Sequence, residues 1–125
     1  MTKYITFKEK LTFEQRLNES INIRNRFYGR IPVIVEVALN ASRDLPIIDK
    51  SKFLVPGDLT LGQFIFIIRR RLVLPSEKAL FVFVNNNLPL TSDLMREIYG
   101  NYRDNDGFLY LNYTSENTFG CKNYF

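Results

Sequence analysis

The stretch "IPVIVEVAL", Ile31–Leu39, is β-branched and almost wholly apolar. A strand with one wet face alternates polar and apolar residues; a run like this one suits an interior strand covered on both faces. On its amino-terminal side, Tyr28-Gly29-Arg30 and Pro32 close the preceding element. Further back, Thr12-Phe13-Glu14-Gln15 has capping-box spacing, in which the threonine hydroxyl takes a free amide and Gln15 reaches back to the Thr12 N–H. A helix is predicted from there to about Phe27, with Phe13, Leu17, Ile21 and Arg24 in line. Arg16, Glu19, Arg24 and Arg26 are expected to keep much of its surface wet. A short amphipathic segment, Tyr4–Leu11, precedes it.

On the carboxyl side, Asn40 to Lys50 is polar, broken by Pro46, and reads as a connection. "KFLVP", Lys52–Pro56, is a short strand halted by Pro56-Gly57, as an edge strand tolerates. Thr60-Leu61-Gly62-Gln63 repeats the capping box, and Leu61, Ile65, Ile68 and Leu72 mark the core stripe of a helix ending in Arg69-Arg70-Arg71. "ALFVFV" (Ala79–Val84) is another buried strand, Asn85-Asn86-Asn87 a turn, Ser92–Tyr102 a short helix, and "FLYLNY" (Phe108–Tyr113) the last strand. The element order is ααββαβαβ, without internal repeat or interdomain linker.

With 125 residues, 46% of them hydrophobic, the chain suits one domain. No apolar run approaches the roughly 20 residues that cross a bilayer, and no secretory h-region opens the sequence, so a cytosolic protein is expected. The single cysteine excludes an internal disulfide. The absence of histidine removes the usual metal ligand and the usual base that activates a nucleophile. No convergent acid, base, metal or phosphate motif supports an enzyme, and no cofactor is implied. A net charge of +4 favours anionic partners without selecting among them. Basic charge and the aromatics of "FLYLNY" raise a nucleic-acid reading, but the RNA-recognition signature with glycine between aromatics is missing. Nucleic acid is therefore not an expected partner.

Five blocks in order, "RIPVIVE" (Arg30–Glu36), "KFLVPGDLTLGQFIFIIRRRL" (Lys52–Leu72), "ALFVFVNNNLPLT" (Ala79–Thr91), "DGFLYLNY" (Asp106–Tyr113) and "SENTFG" (Ser115–Gly120), together resemble the autophagy-related ubiquitin-like modifiers, the family that includes the GABA-receptor-associated proteins. The resemblance implies an α+β fold, a ubiquitin-like β-grasp with two additional amino-terminal helices. It divides the chain into a helical extension (1–27), a β-grasp core (30–114) and a conjugation tail (115–120), one domain over residues 1–120, followed by a propeptide (121–125). It also implies that a dedicated cysteine protease cuts between Gly120 and Cys121. Activating and transferring enzymes then pass the freed carboxylate through thioesters to phosphatidylethanolamine, so that the protein moves from cytoplasm to autophagosome membrane. A residue without Cβ suits that junction, because it lies extended in a narrow cleft and leaves its carbonyl open to attack. Cys121 has no histidine to activate it and stands one position too early for a prenylation signal, which places it in the discarded tail.

The family also binds receptors whose extended segments carry an aromatic residue and, three positions on, an aliphatic one. The physical basis is general: an edge strand offers unpaired N–H and C=O groups, and flanking pockets take alternate side chains. By matching blocks, the resemblance assigns an aromatic-accepting pocket to Glu19, Ile23, Pro32, Lys52, Leu54 and Phe108. It assigns an aliphatic pocket to Phe53, Val55, Pro56, Leu59, Phe64 and Ile67, with Arg71 near its rim. Phe64 and Ile67 fall beside the helix stripe and widen it beyond one core face, although plain core packing competes for Phe64 and Phe108. Lys50, Lys52, Arg30 and Arg71 are expected to attract acidic residues that flank such ligands; the competing reading is a solvated cationic face, worth about 0–1 kcal/mol per pair.

The Tyr4–Leu11 segment resembles the family's mobile first helix, for which a simple packing role is the alternative. The chain departs from the family at Tyr28-Gly29, where Pro-Asp is common, at Leu90, where a second proline is frequent, and in the length of the segment after Gly120. A β-grasp adaptor that binds peptides on its edge strand without being conjugated is the rival reading.

Overall fold

A computed structural model describes residues 4–39, 41 and 45–116. Its elements are α1 (Phe7–Lys10), α2 (Phe13–Arg26), β1 (Arg30–Val37), β2 (Lys52–Pro56), α3 (Leu61–Leu72), β3 (Phe81–Phe83), α4 (Met95–Tyr102) and β4 (Leu109–Thr114), in the order the sequence leads one to expect. One sheet runs β2-β1-β4-β3. Its central pair β1–β4 is parallel and both outer pairs are antiparallel.

β1 is covered on both faces, and its alternation feeds two cores. Val33 and Val35 pack with Leu109, Leu111 and Tyr113 against Leu61, Phe64, Ile68 and Leu72 of α3. On the opposite face Ile34 and Phe108 pack with Phe7 of α1 and Ile23 of α2. Each fully buried aliphatic side chain contributes about 1.5–3 kcal/mol, so the continuous apolar run of β1 stabilises both layers at once. The strand stops at Val37 rather than Leu39, whose side chain is 97% exposed.

The capping boxes at Thr12–Gln15 and Thr60–Gln63 are both formed, and Thr6–Glu9 makes a third for α1. In α3 the buried stripe is Leu61, Phe64, Ile68 and Leu72, with Ile65 only half-buried. The turn at Asn85 and Asn86 takes left-handed backbone at φ 48° and 64°, which asparagine tolerates, and closes a hairpin bridge between Val84 and Asn87. α4 begins at Met95, three residues later than the sequence reading, because Leu94 bridges to Thr60 and Asp93 caps the preceding turn by accepting from the Leu90 N–H at 3.1 Å.

α2 departs from the expectation in part: Arg24 and Arg26 are exposed as expected and Leu17 is half-buried, but the positions of Arg16, Phe13 and Ile21 are exchanged. Phe13 and Ile21 are exposed, whereas Arg16, Ser20 and Ile23 are buried. The reason is a polar anchor. Asp106, wholly buried in the turn before β4, accepts from Arg16 Nε at 2.8 Å and from the Tyr110 hydroxyl at 2.5 Å. Its other carboxylate oxygen accepts the Phe108 N–H at 2.9 Å, and its backbone carbonyl accepts the Ser20 hydroxyl at 2.5 Å. Arg16 also donates to the Leu11 carbonyl at 2.7 Å, which fixes the end of α1. A buried charge is tolerated only when paired and hydrogen-bonded, so this cluster orients α2 by its polar residues.

α1 is packed against the sheet. The Phe7 ring meets Phe108 edge-on at 5.0 Å, Lys8 Nζ lies 2.8 Å from Asp104, and the buried Glu36 carboxylate accepts the Phe7 N–H at 2.7 Å. Gly29 closes the α2–β1 corner at φ +84°, and its carbonyl accepts the Gly57 N–H.

Candidate functional site

Among the described residues β2 pairs only with β1, and the alternation of the ladder decides which of its backbone groups face outward. Val35 N–H donates to Ser51 O at 2.8 Å, and Val33↔Phe53 and Ile31↔Val55 share that parity. Residues 51, 53 and 55 therefore point their backbone groups at β1, and Lys52 and Leu54 point theirs outward. The prolines fit this parity. Pro32 and Pro56 both lie in pairs that exchange no bonds across β1–β2, so their missing N–H groups cost the ladder nothing. The result is a short strand edge whose outward backbone groups at Lys52 and Leu54 take no part in the sheet ladder.

Alternate side chains of that strand face different layers. Phe53 and Val55 are buried in the α3-side core, with the Phe53 ring edge-on to Phe64 at 5.4 Å. Leu59 is half-buried beside them, Pro56 is half-buried at the strand end, and Ile67 stays 40% exposed. Lys52 and Leu54 share the other face, where half-buried Leu54 joins Ile23 and Phe108. Pro32 is buried beneath Leu54 in the register, and Phe108 has no exposure at all. The residues assigned to the two pockets are thus gathered into two clusters on opposite faces of β2. Among them Phe53, Val55, Phe64 and Phe108 are also core, and Leu54, Leu59 and Ile67 keep the accessible surface.

Every cation named for this edge has a partner within the molecule. Lys52 forms an ion pair with Glu19, linking the start of β2 to the middle of α2. Lys50 Nζ stands 5.3 Å from the centroid of the Phe53 ring, and Arg71 Nε lies 3.1 Å from Asp49. Arg30 reaches the outward-facing carbonyl of Leu54 at 3.2 Å. These pairs are largely exposed, and exposed pairs are worth about 0–1 kcal/mol each.

Burial and hydrogen bonding shift several groups around the amino-terminal layer. Burial pushes the Glu36 carboxyl up, against the Phe7 N–H and the nearby Lys10 and Lys8, which pull it down. Burial also acts to raise Asp104, but the hydrogen bonds from Lys8 and the Asp106 N–H outweigh it and hold it below its ordinary value. Tyr110 is pushed far up by burial and by its bond to Asp106, which keeps the phenol a donor. Burial with the Glu36 charge raises Tyr4 to about 12.

The Arg16–Asp106–Ser20 anchor and the Glu36–Phe7 bond hold the helices that wall the Leu54 side of the edge, and the sequence reading did not find them. A spacing of four and three along α2 (Arg16, Ser20, Ile23) and one carboxylate inside an apolar strand (Glu36) are the signals that carry them. Gly120 and Cys121 lie outside the described residues.

Residues 15–120 match the family described as "Autophagy protein Atg8 ubiquitin like". The chain is 56% identical over 115 residues to Autophagy-related protein 8 of Saccharomyces cerevisiae, covering 92% of this chain and 97% of that protein. Autophagy-related protein 8 of Kluyveromyces marxianus is 55% identical over 114 residues, covering 91% and 90%. The crystal structure of Trypanosoma brucei ATG8 superposes with a TM-score of 0.83 at 42% identity, covering 91% of this chain and 97% of that one. With the two helices before the sheet and the mixed β2-β1-β4-β3 order, these similarities establish a ubiquitin-like fold, a role in autophagy, and partners among that pathway's conjugation machinery and receptors. The chain belongs to the Atg8 family of ubiquitin-like autophagy modifiers.

Proposed function

We propose that the chain is cut after Gly120 by a cysteine protease, that activating and transferring enzymes join the freed carboxylate to phosphatidylethanolamine, and that the β2 edge then gathers receptors bearing aromatic-x-x-aliphatic segments at the autophagosome membrane. On this reading the protein is a substrate of catalysis, since its one contribution to the covalent chemistry is its own terminal carboxylate. The domain is residues 1–120, with 115–120 its conjugation tail and 121–125 removed. No helix among the described residues is long and apolar enough to cross a membrane, and the attached lipid supplies the hold.

The observation that carries the reading is the closing of the family match on Gly120, at the end of "SENTFG". The outward-facing edge at Lys52 and Leu54, flanked by one cluster on each face, supports the receptor half. A ligand strand satisfies the outward backbone groups, its aromatic residue sits on the Leu54 face beside Lys52, and its aliphatic residue sits beside Leu59 and Ile67. The edge comprises Glu19, Ile23, Arg30, Pro32, Lys50, Lys52, Phe53, Leu54, Val55, Pro56, Leu59, Phe64, Ile67, Arg71 and Phe108.

Gly120→Ala tests the conjugation half. The variant should fold like the wild type, remain uncut, and stay off membranes in cells; full membrane association of Gly120→Ala would refute the mechanism and favour an adaptor that is never conjugated.

A further inference from the structure

Four residues of α2 form a stripe of their own. Glu14, Leu17, Ile21 and Arg24 follow one another at steps of three, four and three, the spacing that sets side chains along one seam of a helix. Glu14, Ile21 and Arg24 are exposed and Leu17 is half-buried, and neither Leu17 nor Ile21 belongs to either core cluster. The buried face of the helix is a different one, Arg16, Ser20 and Ile23. Beside the seam runs an open groove of ≈ 500 Å³, lined by Leu17, Ile21 and Arg24 of α2 and by Tyr99, Gly100 and Arg103 at the end of α4. At about 100° per residue, Ile21 stands about 160° around α2 from Glu19, the partner of Lys52. The groove therefore lies on the flank of α2 that faces away from the β2 edge.

The seam has opposite charges at its two ends. Arg24 lies 5.2 Å over the Tyr99 ring, and its Nη1 donates to the Tyr99 hydroxyl at 3.3 Å. Arg103 lies 5.7 Å over the same ring and donates to the Gly100 carbonyl at 3.2 Å. Two cations are thus held at one aromatic ring, and neither forms an ion pair among the described residues. Asp104 also lines the groove, but Lys8 Nζ holds its carboxylate at 2.8 Å. At the far end Glu14, in the first turn of α2, forms no ion pair among the described residues either. Gly100 keeps the opposite wall low, since a Cβ there would meet nothing within 4 Å.

We infer that this groove docks an amphipathic α-helix of a partner protein, lying antiparallel to α2 with an acidic first turn. Read against the seam, such a helix sets its acids at Arg24 and Arg103, one apolar residue at Ile21, a second at Leu17 and a basic residue at Glu14. The pattern it needs is acid-x-x-apolar-x-x-x-apolar-x-x-basic, with a second acid in the first turn for the second cation. The antiparallel direction follows from the charges, because acids belong at the amino end of the incoming helix and cations at its carboxyl end. A second copy of this chain meets the need less well. Its α2 has one acid in the first turn, Glu14, against two cations, and each copy carries a net charge of +4. The apolar pair supplies the adhesion and the charged ends set direction and register. Nothing in this reading depends on the β2 edge, so one molecule can hold a partner on each flank of α2.

The test titrates the full chain into a fluorescein-labelled, alanine-based helical peptide of about 16 residues, read by anisotropy. The peptide carries two glutamates in its first turn, leucines three and seven residues after the second glutamate, and a lysine three residues beyond the second leucine. It should bind about fivefold more tightly than the same peptide with glutamines for both glutamates, and the gain should shrink as salt is raised. Replacing both leucines by alanine should weaken it about tenfold or more. On the protein, Ile21→Ala should weaken binding about fivefold, and Arg24→Gln with Arg103→Gln should abolish the advantage of glutamate over glutamine. Gly100→Glu, which fills open space and repels the acids, should weaken the glutamate peptide as well. These positions are exposed or open, so melting temperatures should move by no more than about 3 °C. No binding, equal binding of the glutamate and glutamine peptides, or affinity untouched by Ile21→Ala and Gly100→Glu would overturn the proposal. Competition by an aromatic-x-x-aliphatic peptide would put the probe on the β2 edge and overturn it too. Sedimentation of the chain alone that shows a dimer, lost in Ile21→Ala, would give the seam to a second copy and overturn the partner helix.

Discussion

Arg16 in α2 and Asp106 in the turn before β4, 90 residues apart in sequence, meet at 2.8 Å with the carboxylate wholly buried. Removing one partner leaves the other charge buried and unpaired, which costs about 3–5 kcal/mol. Arg16→Ala should lose that much stability in urea titration. Asp106→Asn should lose a comparable amount, because an amide whose oxygen keeps the Phe108 N–H turns its NH2 toward the donors Arg16 Nε and Tyr110 hydroxyl. A loss below about 1 kcal/mol in Arg16→Ala would mean that the pair behaves like an exposed one and that apolar packing alone docks α2.

Gly107 follows this anchor at φ +90°, and a Cβ there would lie 2.2 Å from Ser20 Oγ and 2.9 Å from Ser20 Cβ. Gly29 has a similar φ of +84° with nothing within 4 Å. Gly29→Ala therefore measures left-handed backbone strain alone, about 1 kcal/mol, and Gly107→Ala adds the clash, for about 2 kcal/mol or more in total. Equal melting temperatures for the two variants would contradict the placement of Ser20.

The pH dependence of stability carries opposed contributions on the α1 side. Glu36 has a folded-state pKa above the ordinary 4.5, so its stabilising contribution is full below that value and is lost as pH rises through the folded pKa. Asp104 is held low, so its contribution is present above the ordinary carboxylate range and lost as pH falls. Glu36→Gln keeps an acceptor for the Phe7 N–H and removes the titration. The unfolding free energy of the wild type relative to Glu36→Gln should rise as pH is lowered toward 4.5. A difference independent of pH would show that Glu36 is not desolvated.

Phe53 and Ile67 separate pocket from core. Phe53 packs edge-on to Phe64 inside the main core, so Phe53→Ala should cost about 3–5 kcal/mol of stability along with binding. Ile67 is exposed, and Ile67→Ala should change stability by no more than about 0.5 kcal/mol. It should nevertheless weaken an aromatic-x-x-aliphatic peptide by about 1 kcal/mol, roughly fivefold, in calorimetric titration. Unchanged affinity would remove Ile67 from the aliphatic pocket.

Much of the fold is readable before any coordinates because local signals agree with tertiary ones. The unbroken apolar run of Ile31–Leu39 requires two covers, and the structure supplies α3 on one face and α1 with α2 on the other. The proline pattern of β2 marks it as an edge, and both threonine capping boxes form where their spacing puts them. What periodicity misreads is α2. Its apolar residues Phe13 and Ile21 suggest the inward face, but the partner of Arg16 is a carboxylate far along the chain, and no local pattern carries that information. The same holds for the edge. Its strand is plain in the sequence and core packing is already a competing reading for Phe64 and Phe108, whereas the burial of Phe53 and Val55 becomes visible only when two layers meet across β2.

Intact-mass spectrometry of the protein after incubation with the family's processing protease, and then with activating and transferring enzymes and phosphatidylethanolamine, tests the central claim most directly. The expected product is a chain ending at Gly120 that gains the mass of one phospholipid with loss of water. Retention of Cys121–Phe125 under conditions that process a relative of the family would contradict it.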